Sequence, residues 1–168
     1  MSVTEFLASA RQCDVAPLLT DFDATKYLGT WYEQQHVKNE YYQPNDATCV
    51  SANYSNLQSS GHFTVYNTMQ DAEFGARTGG TADGYCPGVT GQCFITFFGS
   101  PPAEPNYNVI DVDYDSYAIV HSCGRFYSYL YYLTREAVIS DELYNHMVSR
   151  TKTLLPNFDF NTLNARDY

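Results

Sequence analysis

The chain has 168 residues, 16 of them tyrosine, a formal net charge of -10 and a pI near 4.5. That length suits one domain and buries about two thirds of the surface the unfolded chain exposes, enough for one core or one lined cavity. The nine Lys and Arg are scattered, which argues against a grip on nucleic acid or an anionic membrane, and no apolar run approaches the roughly 20 residues that span a bilayer.

Residues 1–21 read as an N-terminal segment. Met1 to Ala10 lack the charged start and long apolar core of a signal peptide, so a secreted reading expects a leader already removed and a start added. Residues 28–134 then alternate segments rich in Val, Ile, Thr, Tyr and Phe with links containing Gly, Pro, Asn or Asp, the pattern of an all-β barrel or sandwich. The predicted strands are 29–37, 48–57, 62–69, 74–83, 92–98, 107–113, 117–123 and 126–133. Links such as Gln58-Ser59-Ser60-Gly61 have hairpin length, so successive strands pair as antiparallel neighbours, and closing the meander removes its edges. Residues 39–47 make a long polar and aromatic loop placed to lid an opening.

One segment, 140–155, carries a helical signature: Ser140 as cap, Asp141 and Glu142 in the first turn, Leu143, Met147 and Leu154 on one face, Arg150 and Lys152 near the end, and Pro156 as the stop. Residues 156–168 follow as a C-terminal extension, and nothing in the chain marks a second domain. The expected fold is therefore an all-β, eight-stranded antiparallel up-and-down barrel with one C-terminal helix packed outside.

The five cysteines, Cys13, Cys49, Cys86, Cys93 and Cys123, match neither a zinc C-x2-C pair nor a redox C-x-x-C, so disulfides and an oxidising compartment are the better reading. The sequon Asn53-Tyr54-Ser55 fits a secreted glycoprotein. A glycosylated Asn53 faces outward, which turns Val50, Ala52 and Tyr54 inward and sends Cys49 out. The same period of two groups Phe63, Val65, Asn67 and Met69 on strand three, Tyr107, Val109 and Asp111 on strand six, and Tyr127, Tyr129, Tyr131 and Leu133 on strand eight. A tyrosine-lined cavity stacks flat conjugated surface and offers hydroxyls to a few polar ends, with about half the tyrosines expected on outer faces. His36, His62, His121 and His146 have no second ligand at metal-binding spacing, so no catalytic or metal site is expected, and His36 is placed as a ligand contact near the mouth.

Three segments in order, Gly29-Thr30-Trp31, Val112-Asp113-Tyr114 and Thr134-Arg135, resemble the motifs of the lipocalin family, with Val112 standing where the family has Thr. The likeness runs from Cys13 to Asn157-Phe158-Asp159 and is nearest to the apolipoprotein D branch. Within it, Asn39-Glu40-Tyr41-Tyr42-Gln43-Pro44 with Cys49 and Ser51-Ala52-Asn53-Tyr54 resembles the crustacyanins, which carry astaxanthin, and Val65-Tyr66-Asn67 is similar to bilin-binding lipocalins. Read as scaffold, Gly29, Trp31, Asp113, Tyr114 and Arg135 close one barrel end, with a guanidinium over the indole face contributing ~0.5–2 kcal/mol.

The resemblance implies a Cys13–Cys123 disulfide and pocket positions at Tyr54, Asn67, Tyr107 and Tyr129. It also implies a partner for Cys49 near the C-terminus, where this sequence has no cysteine. The simplest further pairing joins Cys86 to Cys93 across Pro87 to Gln92 and leaves Cys49 over; a distorted barrel pairing Cys49 with Cys86 or Cys93 is the alternative. An odd thiol then reflects a trimmed terminus, an intermolecular disulfide or a covalently held bilin. The implied function is a secreted carrier, not an enzyme, of a hydrophobic chromophore, a carotenoid ahead of biliverdin or a colourless lipid, sterol or retinoid. Its implied partners are that small ligand and further copies or homologues in a homo- or hetero-oligomer, with no nucleic acid and no membrane insertion.

Overall fold

The computed structural model describes residues 13–38, 43, 46–71, 75–124 and 127–168. A one-turn helix α1 (Ala24–Tyr27) leads into eight strands: β1 (Gly29–His36), β2 (Thr48–Ser55), β3 (His62–Gln70), β4 (Arg77–Tyr85), β5 (Gln92–Thr96), β6 (Tyr107–Asp113), β7 (Tyr117–Gly124) and β8 (Tyr127–Thr134). Each pairs antiparallel with the next and β8 returns to β1, closing the barrel. Helix α2 (Asp141–Leu154) follows, and a short 3-10 turn occupies Phe160–Thr162. No described helix is long and apolar enough to cross a membrane.

The expected strands are all present, with shifted ends. β5 stops at Thr96, not Phe98, and β1 stops at His36, with Val37 bridging to Leu163 instead. The expected strand starts at Phe74 and Phe126, and all of the 39–47 loop except Gln43, Asp46 and Ala47, lie outside the described residues. Helix α1 was not anticipated from the sequence: it is too short for periodicity to reveal, and Asp23 caps it by accepting from the Thr25 amide at 2.9 Å.

The outer face of β6, β7, β8 and β1 packs against α2. Ile119, Leu130 and Tyr132 meet Met147 and Leu155 in a core separate from the barrel interior. Ser140 caps α2 through the Leu143 amide, the Tyr132 hydroxyl pairs with Thr151 at 2.6 Å, and Arg150 donates to Asp111 at 2.8 Å. That last bond corrects one expectation. A register shift between Val109 and Asp111 sets Asp111 opposite outward Ile119, so Ile110 and Asp111 both leave the interior and Val112 takes the inward place.

Two disulfides form, Cys13–Cys123 and Cys86–Cys93, and Cys49 is free. The first fastens the segment before α1 to β7, beside a buried His121 whose pKa falls below 6.5 because burial penalises its charged form more than Asp14 favours it. Cys49 sits in a register shift between Thr48 and Ser51 with φ of 50°. The Tyr168 hydroxyl, its pKa raised by burial first and then by Asp167 and Cys49, donates to the Val50 carbonyl at 2.8 Å.

Candidate functional site

One end of the barrel is sealed. Trp31 is completely buried, donates from Nε1 to the Tyr27 carbonyl at 2.9 Å and lies 3.7 Å beneath the Arg135 guanidinium. That guanidinium donates to four carbonyls, those of Lys26, Leu28, Thr30 and Tyr114, at 2.7–3.0 Å. Arginine is suited to this because five N–H groups in one plane bond around the rim while the face stacks on the indole. Gly29 makes the strand entry possible: its φ is 101°, and a Cβ there would stand 3.2 Å from Arg135. Asp113 accepts from the Asp115 amide, and the Tyr114 hydroxyl accepts from the Asp23 amide, tying the β6–β7 turn to the same end. Val112 packs on the core, so the missing threonine hydroxyl leaves no polar gap there.

Above Trp31, three tyrosines form a floor. β2 and β6 lie four strands apart in a ring of eight, so the Tyr54–Tyr107 hydroxyl contact of 2.7 Å spans the interior. Tyr27 joins Tyr107 at the same distance. Burial pushes the Tyr54 hydroxyl up to about 12 and raises Tyr27 and Tyr107 well above 10, so all three stay neutral and able to donate. The Tyr27 and Tyr54 hydroxyls also interact with each other, so the three form a closed polar cluster. A small void of about 10 Å³, lined among others by Phe22, Tyr27, Leu28, Tyr54 and Phe63, lies at this end. Phe63 fills the space beside Gly84, where a Cβ would stand 2.2 Å from its ring.

The inner wall changes character along its length. Phe63, Val65, Val109, Ala118, Val120 and Leu133 are buried, whereas Ala52, Asn67, Met69, Ile95, Phe97, Tyr129 and Tyr131 keep part of their surface accessible. Tyr107 also keeps accessible surface although protein surrounds it, as a side chain facing an internal space does. At the rim Tyr127 is 37% exposed and stacks on Tyr129 with ring centroids 5.0 Å apart.

A polar cluster interrupts this wall. The register of β1 slips between Glu33 and Gln35, so Glu33 faces Leu133, Gln35 faces outward Tyr132 and His36 faces Tyr131. Gln34 and Gln35 therefore both point outward, bonding Thr134 and Asn164, and Glu33 and His36 both point in. Glu33 Oε1 contacts His36 Nδ1 at 2.7 Å and accepts from Gln43 Nε2 at 2.8 Å.

Tyr54, Phe63, Val65, Asn67, Tyr107, Val109, Tyr129, Tyr131 and His36 thus gather on one inner surface, with Tyr127 at its edge. Sequence reasoning missed Glu33, Gln43 and Tyr27. Glu33 was legible, being two residues from Trp31, but Gln43 and Tyr27 lie outside the strands, where period two says nothing. Asn53 lies on the outer face, half-buried, with Nδ2 donating to Thr30 at 3.0 Å. The other histidines lie outside the barrel: His62 pairs with Asp83 at 2.8 Å and His146 contacts the Tyr117 hydroxyl at 3.2 Å. An open concavity of about 650 Å³ on the outside of the sealed end is lined by Lys26, Asp113, Tyr114, Asp115 and Arg135. Arg135 and Tyr114 are already committed to holding that end together, so the interior is the stronger candidate.

The family model described as the lipocalin-like domain matches residues 22–167. Apolipoprotein D of Rattus norvegicus is 28% identical over 148 residues, 81% of this chain and 72% of that protein. The Lazarillo protein of Schistocerca americana is 35% identical over 116 residues, 67% of this chain, and the chain spans about half of it, 52%. Among solved structures, insecticyanin from the tobacco hornworm Manduca sexta superposes with a TM-score of 0.76 at 21% identity, covering 94% of this chain and 86% of its own. Lobster apocrustacyanin A1 does so with a TM-score of 0.66 at 19% identity, covering 92% of each chain.

Proposed function

This chain belongs to the lipocalin-like domain family, and from that premise we propose that it is a secreted carrier, not an enzyme, that holds a hydrophobic conjugated molecule in its barrel. The observation that carries this reading is the division of the inner wall, an aromatic and apolar surface left accessible above a floor closed by Tyr27, Tyr54 and Tyr107. Such a chamber accepts a long apolar body, stacks it on Tyr129 and Tyr131, and presents the hydroxyls of its tyrosine floor to a polar end. The ligand residues of this reading are Tyr54, Phe63, Val65, Asn67, Tyr107, Val109, Tyr127, Tyr129, Tyr131 and His36.

The ligand proposed is a carotenoid such as astaxanthin, supported by the crustacyanin-like segment of residues 39–54 and by the fold shared with apocrustacyanin A1. A bilin such as biliverdin is the second reading, favoured by the Val65-Tyr66-Asn67 likeness. Glycosylation at Asn53 and assembly with further copies belong to the same proposal. An absorption spectrum of protein from its native source, followed by denaturing organic extraction and mass spectrometry, tests it. A visible band with an extractable carotenoid is the expected result. An extracted bilin selects the second reading, colour that stays on the chain points to Cys49, and no visible absorbance replaces the pigment with a colourless lipid, sterol or retinoid.

A further inference from the structure

Glu33, His36 and Gln43 form a polar pole in a chamber lined elsewhere by apolar and aromatic side chains and Asn67, and we propose that Glu33 is a specificity-determining residue there: it accepts a hydrogen bond from the hydroxyl or N–H head of a ligand and discriminates against a carboxylate head. This rests on the carrier reading above and adds to it which head group the chamber selects.

The argument starts from the cost of the arrangement. Glu33, His36 and Gln43 are 7%, 1% and 8% exposed, so a carboxylate, an imidazole and a carboxamide have all been withdrawn from water. Burying a carboxylate is unfavourable unless donors surround it. Both side-chain contacts fall on the same oxygen: His36 Nδ1 and Gln43 Nε2 share Glu33 Oε1. Among the described residues no donor reaches Oε2, which leaves it as the acceptor for a third donor, and a carboxylate accepts through both of its oxygens.

The strand geometry makes the cluster a feature of the interior. In an unbroken strand continuing from Trp31 and Glu33, residue 35 faces in and residue 36 faces out; the bulge at Gln34 reverses this and delivers an imidazole to the carboxylate. Gln43 lies between β1 and β2 in the chain, so the pole also tethers a residue from outside the strands to the chamber. A tether alone requires only some acceptor, and a neutral amide serves as well as a carboxylate. What a carboxylate adds is a charge-assisted bond to a donor and repulsion of a second carboxylate, both strengthened where water is scarce. The net charge of -10 acts in the same direction.

Retinol and retinoate provide the test, because they share a polyene and differ in the head group. Their dissociation constants are measured at pH 8 by quenching of Trp31, the single tryptophan, which lies at the chamber's base. The wild type is expected to bind retinol about tenfold or more tightly than retinoate. Glu33→Gln, which keeps the shape and the tether but removes the charge, is expected to bring the two affinities within about twofold, chiefly by admitting retinoate. Gln43→Ala, which leaves the Glu33 carboxyl group in place, is expected to retain the preference. Equal binding by the wild type, or an unchanged ratio in Glu33→Gln, overturns the subsite and leaves the carrier reading standing. If neither polyene binds the wild type, the subsite is overturned, and the carrier reading is decided separately by the extraction from the native source. Should Glu33→Gln not fold, Glu33→Asp replaces it, withdrawing the charge by one methylene; the expected loss is then in retinol binding, and an unaltered retinol affinity overturns the proposal.

Discussion

At the sealed end Trp31 has no accessible surface, and the cation above it is bonded to four carbonyls; at the open end Asn67, Met69, Tyr129 and Tyr131 retain accessible surface although they belong to the same inner face. Both ends are built from the same eight strands. The difference lies in what fills the barrel. Large side chains and the α1 turn plug the base, whereas the upper wall brings small groups such as Ala52 and Gly80 level with Asn67. A barrel that concentrates its packing at one end leaves its inner wall partly accessible at the other, and stability and binding then depend on different residues.

Substitutions test that separation. Trp31→Ala at the base carries the largest expected cost, ~3–5 kcal/mol in urea-unfolding free energy, because it opens a cavity under Arg135 and strands its charge. Replacing Cys13 and Cys123 together with Ser is expected to cost ~2–4 kcal/mol by releasing a cross-link between residues 110 apart, read as a lower unfolding midpoint under oxidising conditions. Gly84→Ala forces a methyl into the Phe63 ring and is expected to cost ~1–3 kcal/mol.

At the open end the order reverses. Tyr129→Ala is expected to change stability by less than ~1 kcal/mol while weakening a polyene ligand several-fold in a fluorescence titration, since its ring stacks at the rim and is not sealed in the base. A cost as large as that of Trp31→Ala erases the distinction between the ends.

The smallest effect concerns His121, on the outer face of β7. Its folded pKa lies below 6.5, so the unfolded chain binds the proton more readily. The stabilising contribution is present above pH 6.5 and is lost as pH falls toward the folded value. His121→Gln is therefore expected to flatten the decline in unfolding midpoint between pH 7.5 and pH 5, compared with the wild type.

Much of the barrel was legible in the chain. Eight runs of β-forming residues, hairpin-length links and a capped amphipathic segment are local signals, and each corresponds to an element observed. The faces of β2, β3 and β8 followed from period two because those strands keep their register where the inner residues fall: Tyr54 opposes Val65, and Leu133 opposes Ala118. The pairing of Cys13 with Cys123 came from resemblance and that of Cys86 with Cys93 from proximity in the chain, and both bonds are present. The floor was half visible. Tyr54 and Tyr107 stood on inward faces, but Tyr27 belongs to a single helical turn whose direction depends on Asp23 and on the Trp31 indole bonding its carbonyl.

What the sequence determined by itself was the number and order of the strands, the capped helix and the alternation of faces within each regular run, because backbone period and turn chemistry are local properties. The tertiary structure alone decided where that alternation breaks. The slip in β1 depends on how it meets β8, and the slip in β6 on how it meets β7, so neither strand carries the instruction alone. One slip sends Asp111 out to Arg150; the other brings His36 in beside Glu33, where Gln43 completes a polar pole from residues that no single run of the chain holds together.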